Sequence, residues 1–233
     1  MLVYGRNVAS EYLQKNEKVK KIYLQDNFHD EYLKLLIEKS KIQCIFKTKR
    51  ELDQLANGNH QGIILDVMDF SYTDYHNFIN DDESFVVILD HLEDPHNLGA
   101  IIRTSEAAGV SGIIIPKDRS VTVNSTVIKT STGAIDNIPV SMVTNLKQVI
   151  DDLKKNGFWI VGTALENSTD YRKIDYSGKI ALIIGNEGNG MSKMILESCD
   201  FIANIPMYGK VNSLNASVAS GIMIYEVIRQ KRG

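Results

Sequence analysis

From residue 85 onward the chain repeats one pattern, a short run of uninterrupted apolar residues followed by a stretch of helical periodicity. The runs are FVVILD (85–90), GIIIP (112–116), IPVSM (138–142), FWIVGT (158–163), KIALIIG (179–185) and FIANIP (201–206). A strand that is apolar at every position must be covered on both faces, which is the signature of a parallel sheet. The helical stretches LGAIIRTSEAAG, NLKQVIDDLKKN and SVASGIMIYEVIRQ provide that cover. The pattern predicts a mostly parallel α/β sheet with helices on both sides. In such sheets ligands gather at the loops leaving the carboxyl ends of the strands.

Before residue 70 the alternation is tighter. VASEYLQ, EYLKLLIEK and KRELDQLA read as helices, and KIYLQ, QCIF and GIILDV as strands. FSYTDYHNFINDDES (70–84) is polar, aromatic and acidic, with no sustained apolar face. It reads as a linker with one short helix; the alternative is a surface loop within a single domain. The expected organisation is a small α/β domain over residues 1–70, a linker over 71–83 and a larger domain over 84–233.

Composition sets limits on the class. Hydrophobic residues make up 43% of the chain and charged residues 24%, ordinary values for a globule with a real core. No apolar run approaches the length of a membrane span, and MLVYGRNVASEYLQ lacks the charged start and apolar centre of a signal peptide. Cys44 and Cys199 lie far apart without metal-ligand spacing, and read as reduced, buried thiols of a cytoplasmic protein. A net charge of −3 argues against a generally basic nucleic-acid-coating protein. It leaves room for a local basic face, and KNEKVKK (15–21), KSK (39–41) and KTKR (47–50) concentrate positive charge in the first domain. Solvated lysines on amphipathic helices would give the same pattern.

Three loops after strands carry the candidate chemistry. EDPHNLGAIIRTSEAAG (93–109) holds Asn97, Gly99 and Arg103. GNEGNGMS (185–192) sets Glu187 among glycines. It lacks both the dinucleotide fingerprint and the P-loop lysine, and a carboxylate there would repel a triphosphate. PMYGKVNSLNASVASG (206–221) leads polar residues into a long helix. Taken singly, Asn97, Ser213 and Asn215 read as helix caps, Gly99 as a packing residue and Glu187 as a solvated loop residue. A fourth stretch, DHLEDPH (90–96), crowds His91, Glu93, Asp94 and His96, residue types that bind divalent metals. A polar turn is the better reading, because adjacent ligands in one short loop do not converge and nothing elsewhere completes a set.

Together the three loops resemble the SpoU (TrmH) class of RNA 2′-O-ribose methyltransferases, of the SPOUT superfamily. The resemblance rests on N-x-G-x-x-x-R at Asn97, Gly99 and Arg103, and on G-x-E-x-x-G at Gly185, Glu187 and Gly190. It is completed by I-P-M and S-L-N-x-S-x-A at Ile205, Pro206, Met207, Ser213, Leu214, Asn215, Ser217 and Ala219. The opening YGRNVASEYL and the small first domain are similar to the branch that modifies a guanosine of 23S ribosomal RNA, whose RNA-binding domain is similar to ribosomal protein L30e.

The resemblance implies a trefoil-knotted SPOUT domain, S-adenosyl-L-methionine as methyl donor, no metal, and ribosomal RNA as substrate. It implies that Asn97, Arg103, Glu187, Ser213 and Asn215 surround the reacting ribose. Gly185, Ile205, Met207 and Leu214 would hold the cofactor, with Thr163 at its edge. A homodimer through the catalytic domain is implied as well. The final helix suits it: apolar residues at Val218, Ile222, Tyr225 and Ile228, and again at Met223, Ile224 and Val227, form a stripe wider than one packed face needs. The 2′-hydroxyl restricts such an enzyme to RNA over DNA. The alternatives are a tRNA-directed enzyme and a non-catalytic RNA-binding module of the same fold. The presence of Arg103, Glu187 and Asn215 argues against lost chemistry.

Overall fold

The computed structural model describes residues 1–15, 19–56, 58–186, 188 and 190–233. The chain divides into two units, Met1–Ser71 with Val123–Gly133, and Tyr72–Thr122 with Ala134–Gly233.

The first unit runs β1 (Leu2–Tyr4), α1 (Arg6–Lys15), β2 (Val19–Gln25), α2 (Glu31–Ser40), β3 (Cys44–Lys47), α3 (Lys49–Leu55) and β4 (Ile63–Val67). Its strands lie in the order β1-β4-β2-β3, with β4 antiparallel to both neighbours and β2 parallel to β3. Short polar side chains start the helices. Asp30 accepts from the Leu33 amide at the head of α2, and Thr48 with Glu51 forms a capping box on α3. The Thr48 amide and hydroxyl hold the Glu51 carboxyl down at about 2. Leu52, Ala56 and Ile64 form a core against Leu2, Tyr4 and Tyr23. The sequence pattern does not flag β1, because three residues with one buried side chain, Val3, show no period.

The second unit is built on β5 (Phe85–Asp90), α4 (Pro95–Ala108) and β6 (Gly112–Pro116). The chain then passes through α5 (Ser125–Ser131), which packs with the first unit: Lys129 sits 5.9 Å above the Tyr4 ring. There follow β7 (Val140–Val143), α6 (Leu146–Lys155), β8 (Phe158–Thr163), β9 (Thr169–Asp170), β10 (Lys179–Gly185), α7 (Lys193–Leu196), β11 (Phe201–Asn204) and α8 (Ala216–Arg232). All seven strands of this sheet are parallel to their neighbours, in the order β7-β6-β5-β10-β8-β11-β9. β11 stops two residues short of the apolar run that announces it, since Pro206 has no amide to continue a ladder.

Both faces of the sheet are covered. Val86, Ile88, Ile160, Ala181 and Ile183 pack under Leu146, Val149, Ile150 and Leu153 of α6. α4 and α8 pack together, and Met223, Ile224 and Val227 of α8 are fully buried. Each fully buried aliphatic side chain contributes about 1.5–3 kcal/mol. Cys44 and Cys199 are free and half-buried rather than buried. Burial pushes the Cys199 thiol up to about 12, so it stays protonated at neutral pH. Among the described residues no helix is long and apolar enough to cross a membrane.

Residues 72–84 pack on the second unit. Phe78 fills the space beside Gly112, where a Cβ would lie 2.4 Å from its ring. Tyr75 donates to Asp152 Oδ2 at 2.9 Å, and its ring stacks on His76 at 4.1 Å. His76 is bracketed by Asp74 at 2.7 Å and Asp152 at 3.2 Å. The hydrogen bond to Asp74 is the largest of the effects that raise the imidazole above its ordinary value. A raised folded-state pKa contributes stability fully present below the unfolded value near 6.5 and lost as pH rises through the folded value. The wild-type chain should therefore exceed His76→Gln in melting temperature at pH 5.5–6. That margin should shrink steadily up to pH 8, as measured by calorimetric melting at each pH.

Candidate functional site

A cavity of about 770 Å³ opens at the carboxyl ends of β8, β10 and β11. Among the described residues, its wall is drawn from the ends of these strands and the segments that follow them, including Thr163–Asn167, Gly185, Asn186, Gly188, Gly190, Met191, Ile205, Met207 and Asn212–Leu214, together with Ala216, Ala219 and Met223 of α8. The volume lies within the range of small-molecule sites, and the lining has their usual character, apolar with a few polar groups.

The loop after β10 forms one wall. Asn186 and Gly190 exchange backbone hydrogen bonds at 3.1 and 2.9 Å, folding the loop back on itself. This closure requires glycine at 185, where a Cβ would lie 2.6 Å from the Gly190 carbonyl carbon and the Met191 nitrogen. On the neighbouring strand the Thr163 hydroxyl donates to the Ile183 carbonyl at 3.0 Å. Glu187 lies outside the described residues.

The first and third loops meet through their asparagines. α4 begins at Pro95 and is capped by Asp94, whose Oδ1 accepts from the His96 amide at 2.9 Å. Asn97 is thus not the cap that local reading suggests; it lies in the first turn and is buried. The Asn215 side chain donates from Nδ2 to Asn97 Oδ1 at 3.0 Å. Its Oδ1 caps α8, accepting from the Ser217 and Val218 amides at 2.9 and 3.3 Å. Asn215 therefore serves as cap and clasp at once.

Of the other residues singled out in the sequence, Thr163, Gly185, Ile205, Met207, Ser213 and Leu214 all line the cavity. Gly99 is buried in α4, whereas Arg103 is exposed on that helix and outside the cavity lining. The structure thus joins Asn97 to Asn215 and brings Ser213 to the cavity, but does not bring Arg103 to it. Asn186, Met191 and Asn204 belong to the cavity without having been anticipated. Asn204 is the notable omission: its Oδ1 is buried with no hydrogen-bond partner in the cavity wall. Its place at the end of β11, one residue before Ile205, is the signal that could have found it.

The acidic and histidine side chains of residues 90–96 do not converge. His91 pairs with Asp90 at 2.6 Å while Asp94 caps α4. Among the described residues no group of three or more His, Cys, Asp or Glu side chains is placed to hold a metal ion.

A parallel sheet with a cavity at the carboxyl ends of its strands is an arrangement suited to holding a small organic ligand. Residues 84–225 match the SpoU rRNA methylase family, and residues 2–73 match the family described as RNA 2′-O ribose methyltransferase substrate binding. The chain belongs to the SpoU family of RNA 2′-O-ribose methyltransferases. It is 45% identical over 238 residues to a protein of Staphylococcus aureus named as a TrmH family tRNA/rRNA methyltransferase, covering 99% of this chain and 96% of that one. An AdoMet-bound rRNA methyltransferase from Sinorhizobium meliloti is 27% identical and superposes with a TM-score of 0.81, covering 100% of this chain and 88% of that one. A TrmH/SpoU tRNA-modifying enzyme of A. aeolicus is 33% identical with a TM-score of 0.59, covering 65% of this chain and 77% of that one.

The asparagine clasp generates a quantitative expectation. Asn215→Ala should lose about 1 kcal/mol from the missing α8 cap. A double-mutant cycle with Asn97→Ala should show a coupling of about 0.5–1.5 kcal/mol for the shared hydrogen bond. Ser213→Ala, which breaks no hydrogen bond among the described residues, should leave stability unchanged in the same urea titrations.

Proposed function

We propose that this protein uses S-adenosylmethionine to methylate the ribose 2′-hydroxyl of a guanosine in 23S ribosomal RNA, working as a homodimer. The observation that carries the reading is the cavity at the carboxyl edge of the sheet, lined by residues of the second and third motif loops, the third of which Asn215 ties to Asn97 of the first. Its lining fits the cofactor. Ile205, Met207 and Leu214 suit an adenine face, and the orphaned Asn204 Oδ1 offers an acceptor to an amino group. Thr163 and the backbone at Gly185, Ile205 and Leu214 would hold the rest.

S-adenosylmethionine supplies an electrophilic methyl group on a sulfonium. A ribose hydroxyl is a poor nucleophile, so the protein's task is to orient it in line with that methyl and to receive its proton. Orientation supplies much of the rate. Asn97 and Asn215, locked to one another, fix the geometry at the ribose, with Ser213 beside them. Arg103 stays protonated and grips the phosphate next to the target ribose as a planar fork. That phosphate or a water takes the proton as the oxygen attacks. Glu187 orients Arg103 or Asn97.

Residues 1–70 form the RNA-binding domain, 71–83 the linker and 84–233 the catalytic domain. Ribosomal RNA is favoured by coverage: the rRNA methyltransferase likeness spans the whole chain, whereas the tRNA-modifying likeness spans 65% of it. The dimer is supported by α8, on which Val218 and Tyr225 are exposed while Met223, Ile224 and Val227 face inward. Thr104, next to Arg103, abuts Gly221 of α8, so an interface on this helix would bring Arg103 to the seam.

Methyl transfer should be measured with labelled S-adenosylmethionine on 23S rRNA and on bulk tRNA, followed by mapping of 2′-O-methyl sites. Incorporation into one guanosine of 23S rRNA is the expected result. Incorporation into tRNA alone, or none with either RNA, overturns the reading. Arg103→Ala should lower turnover by about 10²–10⁴-fold with cofactor affinity intact, and Arg103→Lys should recover little. Ile222→Asp should sediment as a 26.1 kDa monomer rather than a dimer, with weakened cofactor binding. A fully active monomer would remove the dimer from the proposal.

A further inference from the structure

The turn after β5 carries two features that neither sheet pairing nor the proposed chemistry requires. Asp90 is only 1% exposed, and an ionised carboxylate taken out of water must find replacement partners. Its Oδ2 accepts from the Ser192 amide at 3.0 Å, and its Oδ1 lies 2.6 Å from His91 Nδ1. His91 itself holds φ 59°, a left-handed backbone that a histidine adopts at a cost.

The other ends of these bonds show what the two features maintain. Gly185, the last residue of β10, stands in register with Asp90. Ser192 closes the same loop seven residues later and is bound by the Asp90 carboxylate. Between them, Asn186 Nδ2 donates to the His91 carbonyl at 2.7 Å, and Asn186 Oδ1 accepts from the Gly188 amide at 2.8 Å. The loop is thus gripped by one dipeptide at its start, its first turn and its end. Gly185, Asn186, Gly188, Gly190 and Met191 of that loop line the cavity, whereas Asp90 and His91 do not. Beyond His91 the chain runs directly into the Asp94 cap of α4 and so to Asn97.

We infer that Asp90 and His91 are a positioning pair, setting the cavity wall formed by Gly185, Asn186, Gly188, Gly190 and Met191 at a fixed place relative to Asn97. The Nδ1–H of His91 donates to Asp90, and the left-handed turn at His91 aims its carbonyl at Asn186. A purely structural hydrogen bond would leave ligand affinity alone once the fold is intact. Here the hydrogen-bonded pair is what holds the wall at the spacing a bound ligand needs.

The inference rests on the assignment of this cavity to S-adenosylmethionine, and substitutions at His91 separate the two ideas. His91→Gly relieves the backbone cost but deletes the donor, while His91→Asn tolerates the left-handed turn and restores an N–H. The full-length proteins should be titrated calorimetrically with S-adenosylmethionine and melted without it. His91→Gly should melt at or above the wild-type temperature, yet bind at least tenfold more weakly and lose kcat at saturating cofactor. His91→Asn should bind within threefold of wild type, and Asp90→Asn should bind at least tenfold more weakly. Wild-type affinity in His91→Gly overturns the positioning role while leaving the cofactor assignment intact. Absence of binding by the wild type overturns both.

Discussion

The structure depends on the pairing of β5 with β10 at the centre of the larger sheet. Six consecutive pairs, from Phe85 with Ile180 to Asp90 with Gly185, hold these strands in register. Val86–Leu89 and Ile180–Leu182 are fully buried, so no slip is possible without turning apolar side chains towards the wrong layer. Because the strands are parallel, both release their following loops at the same edge. The β5 loop leads to Asn97 and the β10 loop becomes a wall of the cavity. A site assembled from segments some ninety residues apart is therefore a consequence of one strand pair.

How much of this is legible in the sequence follows from where the information lies. Strands buried on both faces announce themselves, because every position must be apolar; β5, β6, β8 and β10 match their runs residue for residue. Short elements escape. β9 has two residues, and α7 four, too few to show a period. α5 escapes for a different reason: its partners lie in the first unit, more than a hundred residues earlier, and no local pattern records that. The cap of α4 is misassigned locally because Asp94, followed by proline at the first helical position, outcompetes Asn97 three residues on.

The site shows the same division. Its loops are legible from polar residues and glycines placed after apolar strands, and the resemblance to SpoU enzymes ranks them. What sequence cannot encode locally is mutual contact. That Asn215 clasps Asn97, or that Asp90 holds the Ser192 amide, depends on the crossing of distant elements. Asn204 and Asn186 are missed because an asparagine at a strand end is usually a turn former, and only the cavity distinguishes these two.

The placement of charge around the cavity bears on the proposed reaction. The charged side chains among the described lining residues are Glu166 and Glu197, both carboxylates. A sulfonium is a cation, and two like charges about 4 Å apart repel by about 4 kcal/mol at an effective dielectric near 20. A guanidinium inside the cavity would therefore oppose the very donor the cavity is proposed to hold. Arg103 stands outside it, exposed on α4, as the proposed role of gripping an RNA phosphate would need. A sulfonium donor held here would give up its charge with its methyl group, and the pull of a nearby carboxylate on it would fall accordingly. In the proposed reading these carboxylates would favour a cationic donor over its neutral product, with Lys193, 3.8 Å from Glu197, offsetting part of that charge.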